Sequence, residues 1–154
     1  MSIIIRQARK EELDILYDFE AKIIETERPL DPTLRKDAYH YYDLPKMFDD
    51  ADAAIFVAEA HGEIIGSANV TIREAKHYNN IKTFAHIGLV YVTPDYRGKD
   101  IVTMLFDAMK EWAMEKGLTE LRLQVFDKNI PAVKAYEKYG FSKNLVEMRM
   151  SLGE

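Results

Sequence analysis

The sequence predicts a single α/β domain: a mixed, twisted β-sheet with helices on both faces. Three observations lead there. The 154 residues match one domain of about 150 and suffice to bury a core without covalent staples. Two strand-to-helix transitions follow one another in the second half, and the crossovers they require are right-handed in nearly all folds. A hairpin pattern precedes them, so antiparallel and parallel pairing meet in one sheet.

Each element has its own signal. Ile3 to Ala8 is a short apolar run suited to a first strand. Lys10 to Glu25 carries Leu13, Leu16, Tyr17 and Ile24 at helical spacing, and Arg28-Pro29-Leu30-Asp31-Pro32 breaks it. Asp31 before Pro32 reads as the cap and first turn of a second helix, running past Leu34 and Ala38 toward Tyr41. Asp43 to Asp50 adds a further turn. Ala53 to Ala60 and Glu63 to Arg73 form a hairpin around His61-Gly62, and Glu74 to Lys82 is a polar loop. Phe84 to Val92 is a buried strand. Ile101 to Lys116 has an apolar helical stripe, with Gly117 at its C-terminal cap. Leu118 to Phe126 alternates as a strand, Ile130 to Tyr139 is a short helix closed by Gly140, and Leu145 to Leu152 alternates again as the last strand. No repeat or linker interrupts residues 1–154.

Composition narrows the function classes. There is no cysteine, which excludes disulfides, thiolate metal sites and a cysteine nucleophile. Apolar residues make up 47% and charged residues 31%, an ordinary globular balance. Lys plus Arg less Asp plus Glu is 21 − 26 = −5, which disfavours nucleic acid and anionic membrane as partners. No apolar run approaches a membrane span and no secretory signal opens the chain, so a soluble, cytoplasmic protein is expected. The histidines lack metal-ligand spacing, and no metal is expected.

The informative stretch runs from Val90 to Val102, VYVTPDYRGKDIV. A strand ends, Pro94 stops it, and a basic turn opens a helix. Amides at a helix N-terminus, aided by the helix dipole, attract an anion such as phosphate. Gly98 allows the turn and a close ligand approach, while Arg97 and Lys99 add positive charge. A plain connector is the alternative reading of the same residues. The second informative stretch, NIPAVKAYEKYGF from Asn129 to Phe141, again passes from a polar turn into a short helix.

These two stretches, with the element order of the whole chain, resemble the GNAT superfamily of N-acetyltransferases that use acetyl-coenzyme A. The resemblance implies the acyl-CoA N-acyltransferase fold. Its phosphate loop maps onto Arg97, Gly98, Lys99, Asp100, Ile101 and Val102, with Arg97 matching the motif. Asp100 stands where the motif has its first glycine and Val102 where it has a final small residue. Asp100 is expected to cap the helix with its own carboxylate and to repel phosphate, which predicts a retained site of reduced affinity. The family's strand before the loop pairs with the pantetheine arm, which implies that role for Val90, Tyr91 and Val92. Asn129 matches the asparagine on the pantetheine side, and is equally placed as a helix N-cap. Tyr136 matches the tyrosine that acts as general acid, and protonated phenol suits that task at neutral pH. Aromatic packing is the plainer reading of Tyr136.

The general base is less marked. Gly88 and Leu89 occupy the positions where a strand glutamate is sought. His86 lies on the same strand and has an ordinary pKa near 6.5 that suits a base. Alternation places His86, Gly88 and Val90 on one face, with Ala85, Ile87 and Leu89 on the other. A packed or surface histidine is the plainer reading. Glu25, Glu27, Arg28, Glu74 and His77 are acceptor-side candidates, and Tyr39, Tyr41 and Tyr42 could wall a pocket for an ammonium group. The expected reaction is direct acetyl transfer to a primary amine, with a small cationic amine favoured over a protein amine. The alternatives are a non-catalytic acyl-CoA-binding or protein-interaction domain on the same fold, and a domain binding another nucleotide. A homodimer is compatible with the sequence.

Overall fold

The computed structural model describes residues 2–153. The chain divides into two compact units, residues 1–124 and 125–154. The first holds strands β1 (Ile3–Gln7), β2 (Ala53–Ala60), β3 (Glu63–Glu74), β4 (Thr83–Val92) and β5 (Leu121–Leu123), with helices α1 (Leu13–Glu27), α2 (Leu44–Phe48) and α3 (Ile101–Glu115). The second holds α4 (Ile130–Tyr139).

The sheet order is β1-β2-β3-β4-β5. The first four strands pair antiparallel and β5 joins β4 in parallel, so the expected mixed sheet is present. Side-chain alternation divides its two faces. Ile55 and Val57 of β2 bury against Leu16 of α1 and Leu44 and Met47 of α2. On the opposite face, the glycine at position 66 lets Ile101 of α3 approach to 3.4 Å of where a Cβ would stand, beside Ala58. Helices thus cover both faces. Helix α3 ends as its sequence requires: Gly117 has a φ of +79°, and the Leu118 amide reaches back to the Ala113 carbonyl at 2.9 Å.

The structure corrects four expectations. Residues 31–43 are not a helix, and only Leu44–Phe48 is helical, started by Pro45 and the Asp43 carboxylate accepting from the Lys46 amide. Asp31 spends its carboxylate on the Thr33 amide and hydroxyl (2.9 and 2.7 Å), a local turn that competes with helix. β5 is only three residues long, shorter than the alternating run from Leu118 to Phe126. Residues 141–153 form no strand within their unit, although the sequence alternates there. Finally, the alternation along β4 breaks. The register steps from Asn69↔Gly88 to Ser67↔Tyr91, and Leu89 takes a left-handed φ of +54°. Leu89 therefore joins Leu16, Ile55 and Val57 in the core rather than the face expected from Ala85 and Ile87.

Candidate active site

The bulge on β4 is where the expected cofactor strand begins. β5 pairs only with Ala85, His86 and Ile87, so Gly88 to Val92, including Val90, Tyr91 and Val92, lie beyond the last β4–β5 pair. Beyond β4 the chain makes a single 3-10 turn, Pro94–Tyr96, and then the basic turn. Gly98 has a φ of +76° with nothing within 4 Å of a would-be Cβ. Backbone conformation, not crowding, makes glycine fit there. Asp100 also sits in the left-handed region, at φ 62° and ψ 22°. Aspartate tolerates that region better than most residues, so it can stand at the motif's glycine position in a left-handed conformation.

Asp100 does not do what the sequence suggested. It stands at the N-cap position of α3, yet its side chain makes no capping hydrogen bond. The left-handed backbone at Asp100 is not the extended conformation from which N-cap side chains reach the first-turn amides. The Asp100 carboxylate therefore makes no N-cap bond to the first turn of α3. Arg97 is partly committed: its Nε donates to the Val92 carbonyl at 2.9 Å, and its guanidinium lies 5.5 Å from the Tyr91 ring centroid. It braces the turn against the end of β4. Lys99 lies with its Nζ 5.2 Å from the Tyr96 ring centroid.

His86 lies on β4 opposite Thr71 and Arg122. Its Nε2 is buried and finds no hydrogen-bond partner among the described residues. Burial, and then the Arg73 charge, push its pKa down to about 4. The ring is neutral at physiological pH, its pKa well below the value near 6.5 on which its reading as a base rested.

The acceptor-side candidates separate. Glu25, Glu74 and His77 are exposed, and His77 stacks edge-on with Tyr78 at 5.2 Å. Arg28 braces the loop, donating to the Arg35 and Asp37 carbonyls at 3.1 and 2.8 Å. Glu27, at the end of α1, is half-buried, and burial raises its carboxyl pKa while Tyr41 lowers it. Tyr39, Tyr41 and Tyr42 form an edge-on aromatic run with centroids 5.6 and 6.1 Å apart. The Tyr39 and Tyr41 hydroxyls are buried, and no hydrogen bond of good geometry meets them among the described residues. Burial and then the nearby Glu27 raise the Tyr41 pKa.

Three residues of this region are absent from the sequence reading. Glu20 of α1 is buried, and its carboxylate accepts from the Tyr41 and Tyr42 amides at 3.0 and 3.1 Å, with His40 Nδ1 2.5 Å away. A charged residue on the apolar stripe of a helix was the available signal. Ser67 and Asn69 of β3 are also buried, the two polar residues in the buried stretch 65–70 of that strand.

In the second unit, Asn129 stands at the N-cap of α4 but makes no capping bond with its side chain, and Pro131 starts the helix. Tyr136 packs edge-on against Phe141, centroids 6.4 Å apart, and Tyr139 lies 6.1 Å from the same ring.

Residues 16–141 match the acetyltransferase (GNAT) family, and the chain belongs to that family. The match runs across both units. A streptothricin acetyltransferase of Streptomyces lavendulae is 35% identical over 95 residues, 61% of this chain and 47% of the relative. A putative [ribosomal protein bS18]-alanine N-acetyltransferase of Bacillus subtilis is 26% identical over 136 residues, 88% of this chain and 78% of the relative. The chain spans about half the length of the streptothricin acetyltransferases it matches, 53% and 47%. Among solved structures, an aminoglycoside 6'-N-acetyltransferase of Acinetobacter haemolyticus superposes with a TM-score of 0.76 at 18% identity, covering 98% of this chain and 99% of that one. An aminoglycoside N-acetyltransferase in complex with CoA gives 0.72 at 20% identity, covering 96% and 99%. The fold is that of these acetyltransferases, as the resemblance implied. No helix among the described residues is long and apolar enough to cross a membrane.

Proposed function

We propose that this chain, acting as one functional domain over residues 1–154, transfers an acetyl group from acetyl-CoA to a primary amine by direct attack. The observation that carries the reading is the backbone from Gly88 to Val102. A bulged strand extends past its last β5 pair, and a turn with two left-handed residues opens a helix whose first amides Asp100 leaves uncapped. Extended strand suits an amide-bearing arm, and helix amides suit a diphosphate. Val90, Tyr91 and Val92 would hold the arm. Gly98 and the amides from Lys99 to Val102, with Arg97 and Lys99 nearby, would hold the diphosphate, and Asn129 the pantetheine side.

In the reaction the amine nitrogen bonds to the thioester carbonyl carbon, the C–S bond breaks, and the nitrogen loses a proton. Tyr136 is the proposed donor to the leaving sulfur. His86, being neutral, is the proposed proton acceptor for an amine that has already lost its ammonium proton to solvent. As the C–N bond forms, that nitrogen becomes acidic enough to give up its next proton, directly or through water. Such a base does not strip a free ammonium at neutral pH, so the rate should rise with pH as the acceptor deprotonates. A small cationic amine is the favoured acceptor: the Tyr41 ring and the half-buried Glu27 carboxyl offer complementary chemistry, whereas the Tyr39 ring already carries the Arg28 and Arg35 guanidinium groups at 5.6 and 5.9 Å. The relatives named for streptothricin and aminoglycosides support the same class.

Thiol release from acetyl-CoA over a panel of amines tests the reading. Turnover with at least one amine, falling about tenfold or more in Tyr136→Phe, is expected. Cofactor binding without turnover on any amine would favour the binding-domain alternative.

A further inference from the structure

Leu89 is a buried, non-glycine residue at φ +54° in the middle of a strand. Such a conformation is costly and persists only where its surroundings hold it. Here two side chains do so. The Leu89 N–H donates to the Tyr42 hydroxyl at 2.9 Å, and the Ser67 hydroxyl donates to the Leu89 carbonyl at 2.8 Å. Each backbone group is thus met by a side chain at the point where strand register is lost between β3 and β4. The fit around Tyr42 is tight. A Cβ at Gly88 would collide with the Tyr42 hydroxyl and come within 2.9 Å of its ring and of Asn69 Oδ1. Tyr42 is itself fixed from behind, because its amide donates to the buried Glu20 carboxylate at 3.1 Å.

From this geometry we propose that Tyr42 is a positioning residue. Its hydroxyl, with Ser67, locks the β4 bulge and ties the loop 31–43 to the strand proposed to carry the acetyl donor. The inference rests on the reading of β4 as the cofactor strand. It adds that the acceptor-side loop and that strand set one another's geometry. Loss of the hydroxyl frees Leu89 to relax toward regular strand, which moves the edge at Val90 to Val92 without touching the donor directly.

Tyr42→Phe removes the oxygen and keeps the ring. Two readouts test it in the intact protein. Amide hydrogen exchange at Leu89 should speed up at least tenfold in Tyr42→Phe relative to wild type, while amides of β1 and β2 stay unchanged. The Kd for acetyl-CoA, measured by calorimetry, should rise about three- to tenfold, the scale of one lost hydrogen bond. KM for acetyl-CoA should rise more than kcat falls. Gly88→Ala displaces the same hydroxyl, so the double variant should be no worse than about the stronger single one. Unchanged Leu89 exchange, or unchanged cofactor affinity with faster exchange, overturns the proposal. If wild type itself fails to bind acetyl-CoA, the functional reading falls, and the exchange result still decides whether Tyr42 locks the bulge.

Discussion

At His86, burial and the Arg73 charge hold the imidazole near pKa 4, against an ordinary value of 6.5. The unfolded chain therefore binds more protons than the folded one between those two values, and stability falls as the pH drops through that window. Above pH 6.5 both states are neutral at this residue and the contribution is constant. His86→Gln removes the titrating group, and urea denaturation from pH 7 to 4 should show a shallower loss of stability than wild type. Parallel curves would contradict the assigned burial cost. Asp100 supplies a second test at this scale. Asp100→Asn keeps a residue that tolerates the left-handed backbone and removes the charge beside the first turn of α3. Acetyl-CoA affinity should then rise by about 0.5–1 kcal/mol, roughly two- to fivefold, read by calorimetry. A fall in affinity would mean that the carboxylate serves the turn in another way.

Among the elements, loop 31–43 depends most on a single side chain. Glu20 is buried and accepts from two consecutive loop amides. Glu20→Ala leaves both amides without an acceptor beneath the loop and should cost about 3 kcal/mol in equilibrium unfolding. A loss under about 0.5 kcal/mol would show that the loop is held elsewhere, since surface changes stay within that range. The same loop shows where sequence reading stops. Strand β4, the turn after Pro94 and helix α3 are local features, legible from a proline, a glycine and an apolar stripe. The Asp31-Pro32 pair resembles a helix start, so the sequence predicts a helix where the structure has a loop. Its actual path is set by a carboxylate on α1 and by the Leu89 amide donating to the Tyr42 hydroxyl, both long-range. The bulge was equally hidden: nothing in a leucine announces a left-handed backbone, and strict alternation put Leu89 on the wrong face.

On the scale of the whole molecule, the family and the sheet were readable because two strand-turn-helix passages recur in the expected order. The chemistry was readable only in part. Tyr136 and Asn129 are expected from the motif alone; within the second unit Tyr136 packs edge-on against Phe141, and Asn129 stands at the N-cap of α4 without a side-chain capping bond. The central claim is that backbone amides from β4 through the first turn of α3 bind acetyl-CoA. Amide-resolved NMR during a titration with acetyl-CoA tests it most directly. Saturable shifts should concentrate at Val90 to Val92 and at Gly98 to Thr103, whereas CoA-free acetate should move none of them. Saturation that leaves those amides unmoved, or no binding at millimolar acetyl-CoA, would contradict the claim.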